Sequence, residues 1–177
     1  MLDDLAQRIF DTGVDGLIVH ARKAWLKGLS PKENRDIPPL DYDRVYRLKQ
    51  KFPDKHIIIN GGIEAHDDCK AHLKHVDGVM LGRAAYQNPY ILADVDALYC
   101  NAGSMPPSRH QIVEHLLPYV ERKLSEGTPL NRITRHILGL FKGRPGARRW
   151  RRHLSENAHL PGAGVDVIVA AAALVDQ

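Results

Sequence analysis

The sequence predicts an α/β fold: about three parallel βα units followed by a small all-α helical part. Three observations carry this. Short apolar runs at Gly16–His20, His56–Asn60 and Gly78–Gly82 are separated by segments of helical length, the spacing of βαβ units. The runs do not alternate with polar residues, which fits a parallel sheet covered on both faces. After residues 101–107 the strand signal stops and helical periodicity takes over. The 177 residues suit one domain, or one domain with an appendage. They are too few for a complete eight-stranded α/β barrel, which needs roughly 250.

In chain order, residues 3–12 form a helix ending at Gly13, with Leu5 and Ile9 one turn apart. The run GLIVH is the first strand. Residues 21–40, with Pro31, Pro38 and Pro39, form a long polar loop. Asp41 caps a helix over 41–52 that places Val45, Leu48 and Phe52 on one face. HIIIN is the second strand, and Gly61 and Gly62 follow it. A helix over 64–76 leads to the third strand, GVMLG. The Pro/Gly/Ser-rich stretch 101–107 divides the chain into domains 1–100 and 101–177. Beyond it, Ser108 and Gln111 form a capping box. They open a helix whose core side is Ile112, Val113, Leu116, Leu117, Val120 and Leu124, kinked at Pro118. A second helix starts at Thr128 and Pro129 and buries Ile133, Ile137, Leu140 and Phe141. A third starts at Pro145, and a last apolar helix covers about 165–175 after the PGAG run.

Composition narrows the function. With 44% hydrophobic and 26% charged residues, the chain is an ordinary globular one, not a disordered or fibrous one. Cys69 and Cys100 make no disulfide framework and no C-x-x-C zinc pair. The N-terminus is acidic and lacks the apolar run of a signal peptide. The longest apolar stretch, Val167–Val175, is far shorter than the roughly 20 residues that cross a bilayer. The expectation is a cytoplasmic protein with no membrane partner. Net charge is +4 overall, yet residues 101–152 alone carry +8. Such a basic block fits a polyanion partner, usually nucleic acid. A solvated helix face gives the same composition.

Four groups of residues are candidates for chemistry. Asn60, Gly61 and Gly62 follow one strand, and Gly82 and Arg83 follow the next. Ligands bind at the C-terminal ends of parallel strands. Glycines let backbone N–H groups approach a phosphate, a following helix N-terminus adds positive potential, and Arg83 adds a charged fork of donors. Tight turns alone would also explain the glycines. His20 ends the first strand on the same rim, where an imidazole can bond a cofactor or substrate or simply support a loop. His66, His72 and His75 lack an H-E-x-x-H pattern and are expected on a solvated helix face. In GRPGARRWRRH, Ala147, Trp150 and Leu154 share one helix face. Arg148, Arg151 and Arg152 gather along its flank, with Arg149 further round, a row suited to a nucleic-acid backbone.

Val19–Trp25 (VHARKAW), Lys27–Arg35 (KGLSPKENR), Asn60–Ile63 (NGGI) and Leu81–Tyr86 (LGRAAY), together with the arginine-rich helix, resemble the A subfamily of tRNA-dihydrouridine synthases. The likeness runs over almost the whole chain. The Lys27–Arg35 loop is its most specific part. The resemblance implies the C-terminal part of a flavin-binding (β/α)₈ TIM barrel followed by a helical tRNA-binding domain. It implies reduction of D-loop uridine 20 or 20a of tRNA to dihydrouridine with FMN and NADPH. By similarity His20 contacts the flavin, while Asn60, Gly61, Gly62, Gly82 and Arg83 hold its phosphate. Lys32, Arg35, Arg148 and Arg151 match tRNA-contacting positions; otherwise Lys32 and Arg35 are two solvated loop charges.

The family's cysteine acid, its flavin-assisting lysine and its first five βα units have no counterpart in these residues. Cys69 lies on a helix and Cys100 lies beyond the last strand, so neither matches the catalytic position. The expectation is a truncated chain, inactive alone, with a complementary N-terminal fragment or self-association supplying the missing wall. The alternative is a non-catalytic tRNA- or RNA-binding module centred on residues 101–160. Another FMN barrel, of the dihydroorotate type, lacks the Lys27–Arg35 loop and the helical extension.

Overall fold

Three strands, β1 (Gly16–His20), β2 (His56–Asn60) and β3 (Gly78–Met80), pair in parallel in the order β1–β2–β3. A computed structural model describes residues 1–25, 27–100, 103 and 105–176. The chain divides into two units, Met1–Arg83 and Ala84–Gln177. The composition had pointed to a division at the 101–107 stretch, of which residues 101, 102 and 104 lie outside the described residues. Residues 84–100 group instead with the helices that follow.

In the first unit the strands alternate with α1 (Leu2–Phe10), α2 (Tyr42–Lys51) and α3 (His66–His72). Asp41 caps α2 by accepting from the Arg44 amide at 3.0 Å, which satisfies one of the four unpaired N–H groups at its start. Val45 and Leu48 are buried as the spacing predicts. In α1 the buried residues are Ala6 and Phe10, and Leu5 is exposed, so the core face lies one residue away from the expected one. Phe10 packs on Phe52 with ring centroids 5.2 Å apart, which closes α1 onto the end of α2. At the N-terminal edge of the sheet, Asp77 accepts from the Ile57 amide at 2.8 Å and pairs with Lys49 at 2.9 Å. One carboxylate thus joins β2, α2 and the entry to β3.

Strand alternation sends Ile57 and Ile59 into the core, fully buried beneath α2. Ile18 and Met80 face the other way and are 61% and 40% exposed. The sheet in this unit is therefore covered on one face, where the apolar runs had predicted cover on both. On that face Ile18, Ile58 and Met80 form an apolar patch, with His20 and Asn60 at the C-terminal ends of their strands.

The second unit holds α4, which spans the boundary (Arg83–Gln87), α5 (Val95–Tyr99), α6 (Arg109–Ser125), α7 (Leu130–Thr134), α8 (Ala147–Asn157) and α9 (Val165–Ala172). The capping box at α6 forms in both directions, Gln111 N to Ser108 Oγ and Ser108 N to Gln111 Oε1. The helix runs through Pro118. Trp150 is fully buried on α8, edge-on to Phe141 at 4.8 Å, and its indole N–H donates to the Ile137 carbonyl. Around this pair pack Val113, Val120, Leu154, Ile168 and Ala171. None of the helices described is long and apolar enough to cross a membrane.

The second helix of this part is shorter than expected. After Thr134 the chain continues as turns, with i+3 bonds such as Ile137 N to Thr134 O and Lys142 N to Gly139 O. Gly139 lies in this turn segment. Its Cα faces the backbone carbonyl of Gln87 so closely that no Cβ fits between them. Gly139→Ala is expected to destabilise the second unit by about 1–3 kcal/mol, the usual cost of overpacking. Urea unfolding followed by the signal of the buried Trp150 measures this.

Candidate functional site

Register builds the site. The pairings Ile18↔Ile58↔Gly78 and His20↔Asn60↔Met80 bring the C-terminal ends of all three strands to one line. The Gly61–Gly62 turn leaves that line after β2, and Gly82–Arg83 leaves it two residues after β3. Gly61 has φ +124° and Gly62 φ +67°, in the region that side chains rarely adopt. A Cβ on Gly61 would lie 2.8 Å from Nδ1 of His20. Glycine is therefore what allows the turn to lie directly against the imidazole. A Cβ on Gly82 would meet nothing within 4 Å, which leaves open space beside Arg83.

The structure thus brings together His20, Asn60, Gly61, Gly62, Gly82 and Arg83 on one rim. Burial, and then the charges of Arg22 and Arg83, push the His20 imidazole below its usual range. A backbone bond with Asn60 opposes them, and Arg35 adds a smaller downward push. Three guanidinium groups therefore act on one imidazole, and the rim favours an anion. The expected helix contribution changes form. Helix α3 begins only at His66, and α4 has five residues, so the arginines supply the positive potential. Open space, glycine backbone and a fixed cation fit a phosphate monoester.

The loop between β1 and α2 frames the rim. Its base is closed by a bridge between Arg22 and Leu40 and by the Asp41 amide donating to Ala21 O. Asn34 braces the tip, accepting from the Trp25 amide at 2.7 Å and donating back to Trp25 O at 3.0 Å. Lys32 and Arg35 are exposed on this tip. Arg148 and Arg151 lie on the exposed flank of α8 in the second unit. Among the described residues, neither arginine has an acidic ion-pair partner.

Over residues 2–174 the chain matches the family model described as dihydrouridine synthase. The chain belongs to the dihydrouridine synthase family. It is 55% identical over 163 residues to a Vibrio cholerae protein named tRNA-dihydrouridine(20/20a) synthase, which covers 92% of this chain and 50% of that relative. Proteins of the same name from Shewanella oneidensis and Escherichia coli K12 are each 59% identical. They cover 88% and 89% of the chain, and 47% and 46% of their own lengths. The chain spans about half the length of the curated relatives it matches.

Sequence patterning missed several residues that build this site. Asp36 holds Arg83 at 2.6 Å. Tyr42 Oη donates to the Gly61 carbonyl at 2.9 Å, so the start of α2 fixes the glycine turn. Nothing in the local sequence marks either contact, because the partners lie far apart in the chain. The histidine helix also needs correction: His72 is buried, not solvated. Its Nδ1 lies 2.7 Å from Tyr46 Oη, and its ring meets that of Tyr42 edge-on at 4.4 Å. Burial pushes His72 below the usual histidine range, although Asp68 pulls in the other direction.

Two consequences are measurable. Tyr42→Phe removes one bond to a part-buried carbonyl and should cost about 1 kcal/mol, with faster amide exchange confined to Gly61 and its neighbours. The second concerns pH. His20 and His72 both have folded pKa values below the unfolded value. As pH falls through the ordinary histidine range, the unfolded chain takes up protons that the folded chain refuses. Stability therefore drops on acidification. The thermal midpoint of the first unit should fall between about pH 7.5 and about pH 5.5, and His72→Gln should make that fall shallower.

Proposed function

We propose that these residues form the cofactor-phosphate and tRNA-binding half of an FMN-dependent tRNA-dihydrouridine synthase. In this proposal they are the last βα units of a (β/α)₈ barrel and a helical tRNA-binding domain, residues 101–177. The observation that carries it is the shared rim, where His20, the Gly61–Gly62 turn and Arg83 end on one line. The names of the relatives point to uridine 20 and 20a of tRNA as the substrate. The protein is placed in the cytoplasm, with tRNA and NADPH.

In this assignment Arg83 neutralises the cofactor phosphate, while Asn60 and the backbone at Gly61, Gly62 and Gly82 bond its oxygens. His20, whose imidazole is pushed below its usual range by desolvation and then by Arg22 and Arg83, offers a hydrogen bond to the cofactor. Lys32 and Arg35 hold tRNA backbone at the rim, and Arg148 and Arg151 hold it along α8. When bound there, FMN would supply the hydride chemistry for the uracil ring, with NADPH as reductant. A cysteine acid and the remaining barrel wall come from outside these 177 residues, in a longer chain or as a complementary fragment. By themselves the 177 residues bind FMN weakly and form no dihydrouridine.

Phosphate contacts make affinity depend on salt, because each neutralised phosphate releases counterions. Titration of the 177-residue chain with unmodified tRNA over a range of KCl concentrations tests the RNA half of the proposal. Arg148→Ala and Arg151→Ala should each weaken binding and flatten the log–log salt slope by about one. Unchanged affinity would make the arginine row a solvated face. A chimera that joins these residues to the first half of the Shewanella relative should form dihydrouridine, and Arg83→Ala should raise its FMN requirement. If the chimera binds tRNA but never FMN, the RNA-binding-module alternative gains.

A further inference from the structure

The loop that carries Lys32 and Arg35 is a self-braced body. Asn34 bonds both backbone groups of Trp25, Glu33 accepts from the Ser30 amide at 2.8 Å, and a 3₁₀ turn covers Glu33–Arg35. Arg22 holds its return limb by donating to the carbonyls of Asp36 and Pro38. One side-chain bond carries the loop to the far edge of the rim: Arg83 Nη1 donates to Asp36 Oδ1 at 2.6 Å, across 47 positions of sequence. Both partners are about half exposed, at 58% and 43%.

A half-exposed, single-point ion pair is weak. A phosphate monoester meets a guanidinium with two parallel charge-assisted bonds and more negative charge. The two anions therefore compete unequally for Arg83. We propose that Asp36 is a positioning residue that holds Arg83 and the Lys32–Arg35 loop together when no phosphate is bound, and yields the guanidinium to a phosphate monoester. Phosphate at the rim then releases the loop for its polyanion. By linkage, whatever favours the Asp36–Arg83 pair weakens phosphate binding by the same factor. The inference rests on Arg83 as the phosphate-binding residue.

The chain contains its own reporter. Trp25 lies on the loop and is exposed, whereas Trp150 is fully buried, so acrylamide, a neutral quencher, reads Trp25. In phosphate-free buffer, Asp36→Asn and Arg83→Ala should each raise quenching about twofold, and the double variant no further. Asp36→Glu should keep the wild-type value, a rescue that a merely structural role for the loop would not produce. Inorganic phosphate, added at constant ionic strength, should raise wild-type quenching to the Asp36→Asn level. Amide shifts at Gly82 and Arg83 should show Asp36→Asn binding phosphate about threefold tighter, the scale of a surface ion pair.

Unchanged quenching in Asp36→Asn, additive effects in the double variant, or phosphate binding that leaves Trp25 unmoved would each overturn the exchange. Arg83→Ala separates the two claims. If it leaves phosphate shifts at Gly61 and Gly62 intact, the phosphate assignment itself fails. If it abolishes them while Asp36→Asn changes nothing, only the exchange fails. Absence of any phosphate shift on the rim strikes both.

Discussion

Parallel register is the constraint on which the site depends. Pairing His20 with Asn60, and Asn60 with Met80, ends three strands together, so the segments leaving them share one rim. A slip of one residue would turn Ile57 and Ile59 out of the core and move the glycine turn off the imidazole. The buried isoleucines hold the register from below. Asp77 holds it at the opposite end, bonding the first amide of the core run and pairing with Lys49. Core packing and site geometry are thus one specification.

Electrostatics then give the rim its character. Arg22, Arg35 and Arg83 all bear on His20, and Asp36 is the carboxylate that answers Arg83. Its own carboxyl is held below the usual range, chiefly by the hydrogen bond from Arg83. Cations concentrated beside glycine backbone favour a phosphate. One exposed counter-charge keeps the arrangement adjustable. The second unit uses a simpler device: Ala147, Trp150 and Leu154 bury one face of α8 and leave the arginine flank in water.

Much of this was legible in the sequence. Apolar runs located the three strands, though β3 ends at Met80 and α3 is shorter at both ends than its pattern. The glycine turns and Arg83 at the strand ends were visible because glycine and arginine there carry a local physical reason. The arginine helix was visible because its period is 3.6. What escaped were contacts between distant segments: Asp36 with Arg83, Tyr42 with Gly61, Tyr46 with His72. No local pattern encodes them. The close approach of Gly139 to the Gln87 backbone escaped for the same reason. The open face of the sheet was hidden because an apolar run looks alike whether one face or both are covered.

The central claim is that the rim of β1, β2 and β3 receives a phosphate. Amide NMR of the 177-residue chain, titrated in parallel with FMN and with riboflavin, tests it most directly. The two ligands share the ring system and differ in the phosphate. The account predicts that FMN moves the amides of Gly61, Gly62, Gly82 and Arg83 most, and that riboflavin leaves Gly82 and Arg83 nearly still. Equal shifts from both ligands, or FMN shifts centred on residues 148–152, would contradict it.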